Sequence, residues 1–164
     1  LREAELRMAA MHLEYDAVVI SDYDKGFVDN NLIDIIAPKN PGIKIFVDTK
    51  KKKLPIQYNN VVYKINKKEF ELLDPDHIPR GENMIVTHGA NGALWNKKQF
   101  PVPITTVFDV TGAGDTFLAA LVFYYIQLPA MDEAISFANR CAAIAVQNTG
   151  TYTLKMEDVD EIIK

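Results

Sequence analysis

Cysteine is almost missing from this 164-residue sequence. The single one, Cys141, cannot form an internal disulfide, which excludes a stapled scaffold and points to a reducing, cytoplasmic setting. Glycine and proline number only 8 each, too few for a collagen-like repeat or a low-complexity linker. Positive charge is not in excess: 18 Lys and Arg stand against 22 Asp and Glu, a net charge of −4 that argues against a general nucleic-acid binder. Long apolar runs are lacking too, and none approaches the ~20 residues that span a bilayer. No membrane and no nucleic acid are the expected partners.

What remains is an ordinary globular composition, 48% hydrophobic and 24% charged, at a length that suits one domain. The first residues qualify that. Leu6, Ala9, Ala10 and Leu13 fall on one helix face, and Ala17-Val18-Val19-Ile20 follows as a buried strand. A helix feeding a buried strand is the second half of a βαβ unit, so the expectation is that residues 1–164 form part of a larger domain.

Short β-rich runs then alternate with amphipathic helices. Strands are expected at 17–21, 43–48, 61–65 and 84–88, with helices at 29–37 and 67–73 between them. Ala93–Trp95 and Gln99–Val102 flank Asn96-Lys97-Lys98 as a hairpin. Helices are expected at 114–127, 131–147 and 156–163. Such alternation predicts a mostly parallel α/β sheet with helices on both faces.

Chemistry concentrates in Asp109-Val110-Thr111-Gly112-Ala113-Gly114-Asp115-Thr116-Phe117. Two glycines and an alanine leave backbone uncovered just before an apolar helix, so the N–H groups of Gly112, Ala113 and Gly114 can face one anion with the helix dipole behind them. Asp115 suits no anion site. It suits a base that takes a proton from a hydroxyl about to attack phosphorus. A plain tight turn with an N-terminal helix acid accounts for the same residues. The segment is not a P-loop, since no Gly-Lys-Ser/Thr follows. Elsewhere, Lys50 to Lys53 reads either as a solvated loop or as a source of one phosphate-binding lysine, Lys50, at the carboxyl end of the sheet.

Asp109–Phe117 resembles the C-terminal signature of the ribokinase-like (PfkB) carbohydrate kinases, Asp-Thr-Thr-Gly-Ala-Gly-Asp-x-Phe, with Val110 in place of the usual Thr. Asn66-Lys67-Lys68-Glu69 resembles the family's Asn-x-x-Glu motif, which organises Mg²⁺ and phosphate largely through water; it also reads as a helix cap with a capping-box Glu. Thr87-His88-Gly89-Ala90-Asn91-Gly92 resembles the Thr-x-Gly-x-x-Gly segment near the ATP phosphates and ribose, or equally a strand-to-hairpin turn. Thr87 and Gly89 would then contact nucleotide, Gly92 would shape the turn, and His88 would sit at the rim. Phe137–Ala143 resembles the Ala-rich helix beside the adenine, with Asn139 as its polar contact and Cys141 as an inert packing thiol.

The resemblance implies a three-layer α/β/α ribokinase-like fold whose N-terminal strands and lid are missing. Residues 1–164 would be the C-terminal ATP-binding and catalytic part of a single kinase domain. It further implies ATP and Mg²⁺, a monovalent cation near Asp109 and Thr111, a sugar or sugar-phosphate substrate, and a homodimer of the full-length protein. Ser21–Gly26 (Ser-Asp-Tyr-Asp-Lys-Gly), Val47–Lys50 and Gly150-Thr151 resemble segments of the heptose-phosphate kinases, with Thr49 replacing a Pro. These act on the anomeric hydroxyl of heptose 7-phosphate in lipopolysaccharide assembly, and Lys25 or Lys50 would serve phosphate recognition. The competing expectations are a nucleotide-binding module without turnover and a kinase of the same family acting on ribose, fructose phosphate or a nucleoside.

Overall fold

The computed structural model describes residues 15–29 and 31–163; the helix expected around Leu6 to Leu13 lies outside them. The chain divides into two units, one running to Val86 and one from Thr87.

The first unit is built on parallel strands β1 (Ala17–Asp22), β2 (Lys44–Thr49) and β3 (Val61–Asn66), paired in register as Ile20 with Val47 and Ile45 with Val61. Strand β4 (Met84–Thr87) follows β3 in the strand order. Five consecutive residues of β3, Val61 to Ile65, are buried, the pattern of a strand covered on both faces. Helix α1 (Asn31–Lys39) lays Leu32, Ile33, Ile36 and Ala37 against Ile20, Val47, Val61, Tyr63 and Ile65. At ~25 cal/mol per Å² of apolar surface, this face supplies most of what holds the helix.

Helix α1 runs through Pro38, where the sequence pattern predicts a stop at 37. Proline lacks the N–H that the Asp34 carbonyl would accept. The Tyr58 hydroxyl lies 3.5 Å from that carbonyl and donates to the Asp34 carboxylate at 2.9 Å, so the gap is partly filled. The helix exit is closed by Asn60, whose side-chain amide donates to the carbonyls of Ala37 (3.0 Å), Asn40 (2.9 Å) and Ile43 (3.3 Å). Helix α2 (Lys67–Glu71) is shorter than expected. Leu72 and Leu73 donate to Glu69 and Phe70, three residues back, and Pro75 disfavours helical geometry at Asp74.

In the second unit, β5 (Ala93–Trp95) and β6 (Lys98–Phe100) form an antiparallel hairpin. Its turn is two residues, not three: Asn96 (φ 47°) and Lys97 (φ 65°) are both left-handed, as a type I′ turn requires, and Lys98 joins the strand. Helix α3 (Ala113–Gln127) packs on α4 (Met131–Ala145) across a three-residue link, burying Phe117, Leu118 and Leu121 with Ile135, Ala138 and Cys141. Tyr124 and Phe137 meet at 5.2 Å between ring centres. Burial pushes the Cys141 thiol up to about 12, which makes it a packing residue at neutral pH. Helix α4 ends two residues earlier than expected because Gln147 and Asn148 switch to three-residue bonds onto Ile144 and Ala145. Helix α5 (Met156–Ile163) follows, with Arg140 donating to its Ile162 carbonyl at 3.0 Å. Among the described residues, no helix is long and apolar enough to cross a membrane.

Asn60→Ala removes a side-chain donor shared by three carbonyls and is expected to cost about 2 kcal/mol, measured as a lower urea midpoint with an unchanged slope.

Candidate active site

The turn before α3 is shaped by one carboxylate. Asp109 Oδ1 accepts the N–H (2.9 Å) and hydroxyl (2.7 Å) of Thr111, and Oδ2 accepts the N–H of Gly150 (2.9 Å). These bonds, the Thr111 hydroxyl first, hold the Asp109 carboxyl below the usual carboxylate range. The chain then turns through Gly112, left-handed at φ 76°, into the first turn of α3. A Cβ at Gly112 would stand 3.3 Å from the Thr151 methyl, so conformation and neighbour both favour glycine.

The expected three-amide cradle narrows here. Ala113 N–H closes the turn onto the Val110 carbonyl at 3.2 Å. Gly112 and Gly114 donate to no protein acceptor among the described residues. Asp115 lies in the first helical turn and is solvent-exposed.

A cavity of about 300 Å³ adjoins this turn. Its wall unites six of the residues singled out in the sequence: Thr87, Gly89, Gly92, Ala113, Gly114 and Asn139. Val107, Val110, Phe117, Ala142 and Val146 make the rest of it apolar. Asn139 is buried, and its side-chain nitrogen already donates to the carbonyls of Phe100 (2.9 Å) and Pro101 (3.4 Å), fixing the wall. His88 precedes the short 3₁₀ turn Gly89–Asn91, with its N–H on the Gly92 carbonyl at 2.7 Å. A larger groove of about 540 Å³, lined by Lys98, Tyr124, Asp132, Phe137 and Arg140, holds none of the expected site residues.

Asn66, Glu69 and Lys50 belong to the first unit. Asn66 Oδ1 accepts Glu69 N–H (3.0 Å) and Glu69 Oε2 accepts Asn66 N–H (2.8 Å), a complete capping box at the head of α2. That leaves Glu69 Oε1 without a protein donor among the described residues, enough for a hydrated hard cation but not for a closed cage. No cluster of three or more His, Cys, Asp or Glu able to hold a metal occurs among the described residues. The Lys50 ammonium stands 5.0 Å over the Tyr23 ring.

Two ionic contacts went unread in the sequence. Asp48 and Lys64 are register partners and pair at 2.6 Å, with the Lys64 side chain 6% exposed. Asp22, at the end of β1, pairs with Lys51 at 3.0 Å and accepts the Thr49 hydroxyl at 3.0 Å. Their signal was a polar residue breaking an apolar strand near its carboxyl end.

Residues 31–158 match the family described as pfkB family carbohydrate kinase. The chain belongs to that family. As a pfkB-family chain it is 30% identical over 167 residues to the bifunctional protein HldE of Nitratiruptor sp., covering 90% of this chain and 36% of the relative. Identity to HldE of Aliivibrio salmonicida is also 30%, over 96% of this chain and 37% of the relative. The chain thus spans about a third of the length of these relatives. The fold is ribokinase-like. Escherichia coli phosphofructokinase-2 in complex with potassium superposes with a TM-score of 0.72 at 20% identity, over 98% of this chain and 60% of that one. Arabidopsis thaliana ribokinase complexed with ribose and ATP gives 0.71 at 18%, over 100% and 59%.

Gly92 offers the sharpest test of the cavity wall. At φ 81° an added Cβ would stand 2.0 Å from the Phe100 carbonyl oxygen, whereas at Gly89 (φ 56°) it meets nothing within 4 Å. Thermal unfolding should show Gly92→Ala losing at least ~3 kcal/mol and Gly89→Ala only ~1 kcal/mol.

Proposed function

We propose that this chain is the C-terminal ATP-binding and catalytic part of a single sugar-kinase domain, and that the intact protein transfers the γ-phosphate of ATP to a sugar hydroxyl. One observation carries the proposal: an exposed carboxylate, Asp115, in the first turn of a helix whose glycine entry borders an apolar cavity. An apolar slot for a base, uncommitted N–H groups for phosphate and a carboxylate for the acceptor are the protein parts that phosphoryl transfer to an alcohol requires.

In this reading Asp115 takes the acceptor's proton as the sugar oxygen bonds to the γ-phosphorus. The bond from that phosphorus to the β–γ bridging oxygen breaks, and ADP leaves. Gly112 and Gly114 N–H, with the α3 dipole behind them, stabilise charge on the transferred group; Ala113 supports the turn that aims them. Thr87 and Gly89 border the nucleotide, Gly92 lets the hairpin approach it closely, and Asn139 holds the wall in place. Asn66 and Glu69 would hold Mg²⁺ mainly through water, and bound Mg²⁺ neutralises phosphate charge. Asp109, anionic and next to the Thr111 oxygen, suits a monovalent cation.

The acceptor we favour is the anomeric hydroxyl of heptose 7-phosphate, supported by the Ser21–Gly26 segment and by the HldE relatives. Such an enzyme would work in the cytoplasm, supplying lipopolysaccharide assembly. Ribose, fructose 6-phosphate and nucleosides form the competing acceptor set, and a panel of these with the intact protein distinguishes them.

Asp115→Asn in the intact protein is expected to lower kcat by ~10²-fold or more while ATP affinity stays within about twofold. Near-normal turnover would remove Asp115 from the chemistry.

A further inference from the structure

The hairpin wall of the apolar cavity carries a chemistry that phosphoryl transfer does not use. Asn91 is the only asparagine in the sequence followed by glycine. An asparagine carboxamide is open to attack by the backbone nitrogen of the next residue, and glycine, with no Cβ, hinders that approach least. Asn91 is solvent-exposed, and its carboxamide bonds to no protein group among the described residues.

The fold holds the attacking nitrogen back. Gly92 N–H donates to the Gly89 carbonyl at 2.9 Å, and His88 N–H closes the same turn onto the Gly92 carbonyl at 2.7 Å. A third main-chain bond runs from Asn91 N–H to the His88 carbonyl at 3.1 Å. The turn is exposed from Gly89 to Asn91, and a short exposed turn opens at a fraction of the cost of global unfolding.

We infer that Asn91-Gly92 is a deamidation site, gated by opening of this turn, whose conversion dismantles the hairpin wall. Once the turn opens, the Gly92 nitrogen gives its proton to solvent base and bonds to Asn91 Cγ. The bond from Cγ to the side-chain nitrogen breaks, that nitrogen takes up a proton, and ammonia leaves. Water then opens the five-membered succinimide. Attack at Cγ gives isoaspartate's normal counterpart only when the ring nitrogen leaves from Cγ, so aspartate forms there; attack at the main-chain carbonyl gives isoaspartate, with the backbone rerouted through Cβ and Cγ. The net change is gain of water and loss of ammonia.

Gly92 has no room for the longer chain. At φ 81° a Cβ built on it would already stand 2.0 Å from the Phe100 carbonyl oxygen and 2.9 Å from the Val102 nitrogen. Isoaspartate adds one main-chain carbon directly before this position, so the turn cannot close while the hairpin stays in place. Gly89, Ala90 and Gly92 line the cavity, and the converted chain loses that wall. The loss of ATP binding that follows rests on the kinase reading above; the deamidation does not.

Peptide mass spectrometry of the intact protein, aged at mildly alkaline pH, tests the inference, with isoaspartyl methyltransferase labelling to detect the isomer. The Asn91 peptide should gain the mass of one deamidation and become labelled. Asn96, equally exposed but followed by Lys97, should stay intact over the same interval. Unfolding in urea should speed conversion at Asn91 at least ~10-fold, because the turn no longer has to open. A non-hydrolysable ATP analogue at ~10 times its Kd should slow it about tenfold, since only the closed wall binds. Ageing should abolish turnover in step with conversion, and Asn91→Gln, which cannot form the five-membered ring, should keep it. An unchanged Asn91, equal conversion at Asn96, or equal rates folded and unfolded would overturn the site. Full turnover after complete conversion, or an analogue that binds without slowing it, would overturn the link to the wall. An analogue that fails to bind defeats the kinase reading and leaves the deamidation, measured without nucleotide, standing.

Discussion

The Asp109 carboxylate is the constraint on which the entry to α3, and with it the proposed site, depends. Three donors converge on its two oxygens, two from Thr111 and one from Gly150, 41 residues further along the chain. Together with the Ala113 N–H on the Val110 carbonyl, they hold Val110–Gly112 in a turn that brings Gly112 to φ 76° and starts α3 at Ala113. A helix whose entry is fixed in this way carries its unpaired N–H groups in a set direction, and preorganised dipoles of that kind do not reorganise when charge develops nearby. The apolar cavity beside the turn adds low-dielectric surroundings that strengthen the effect.

Local pattern made much of this legible. The strand and helix expectations agree with the structure to within about two residues at most ends, because apolar periodicity is set by the faces that end up buried. Where they differ, the cause is a bond the pattern does not encode. Tyr58 supports α1 past Asp34, and the turn at Asn96-Lys97 takes two left-handed residues so that Lys98 enters β6. The six residues that share the cavity wall were legible as motifs, yet two of their roles were not. Ala113 spends its N–H on Val110 in a local turn, and Asn139 donates to Phe100 and Pro101, 39 and 38 residues away along the chain, a separation over which spacing says little.

The contacts of Asp22 with Thr49 and Lys51 illustrate the same limit from the other side. Asp22 and Thr49 are 27 residues apart, and only the parallel register of β1 and β2 makes them neighbours. In the sequence, Asp22 is one more polar residue after a strand, and Lys51 one of four consecutive lysines. The fold separates those lysines by role: one is paired in the interior, one rests on an aromatic ring, and one bonds weakly to Asp74. Asn66 and Glu69 likewise cap α2 while keeping a carboxylate oxygen available, so a structural and a ligand-binding role are compatible on the same two side chains.

The central claim is that the Gly112–Gly114 turn and the cavity beside it hold ATP. A crystal structure of the intact protein with a non-hydrolysable ATP analogue tests it most directly. The account predicts the base against Val107, Ala142 and Val146, with phosphate oxygens within hydrogen-bond reach of Gly112 and Gly114 N–H and Asp115 facing the γ-phosphate. A nucleotide bound elsewhere, or an empty cavity at saturating analogue, would contradict it.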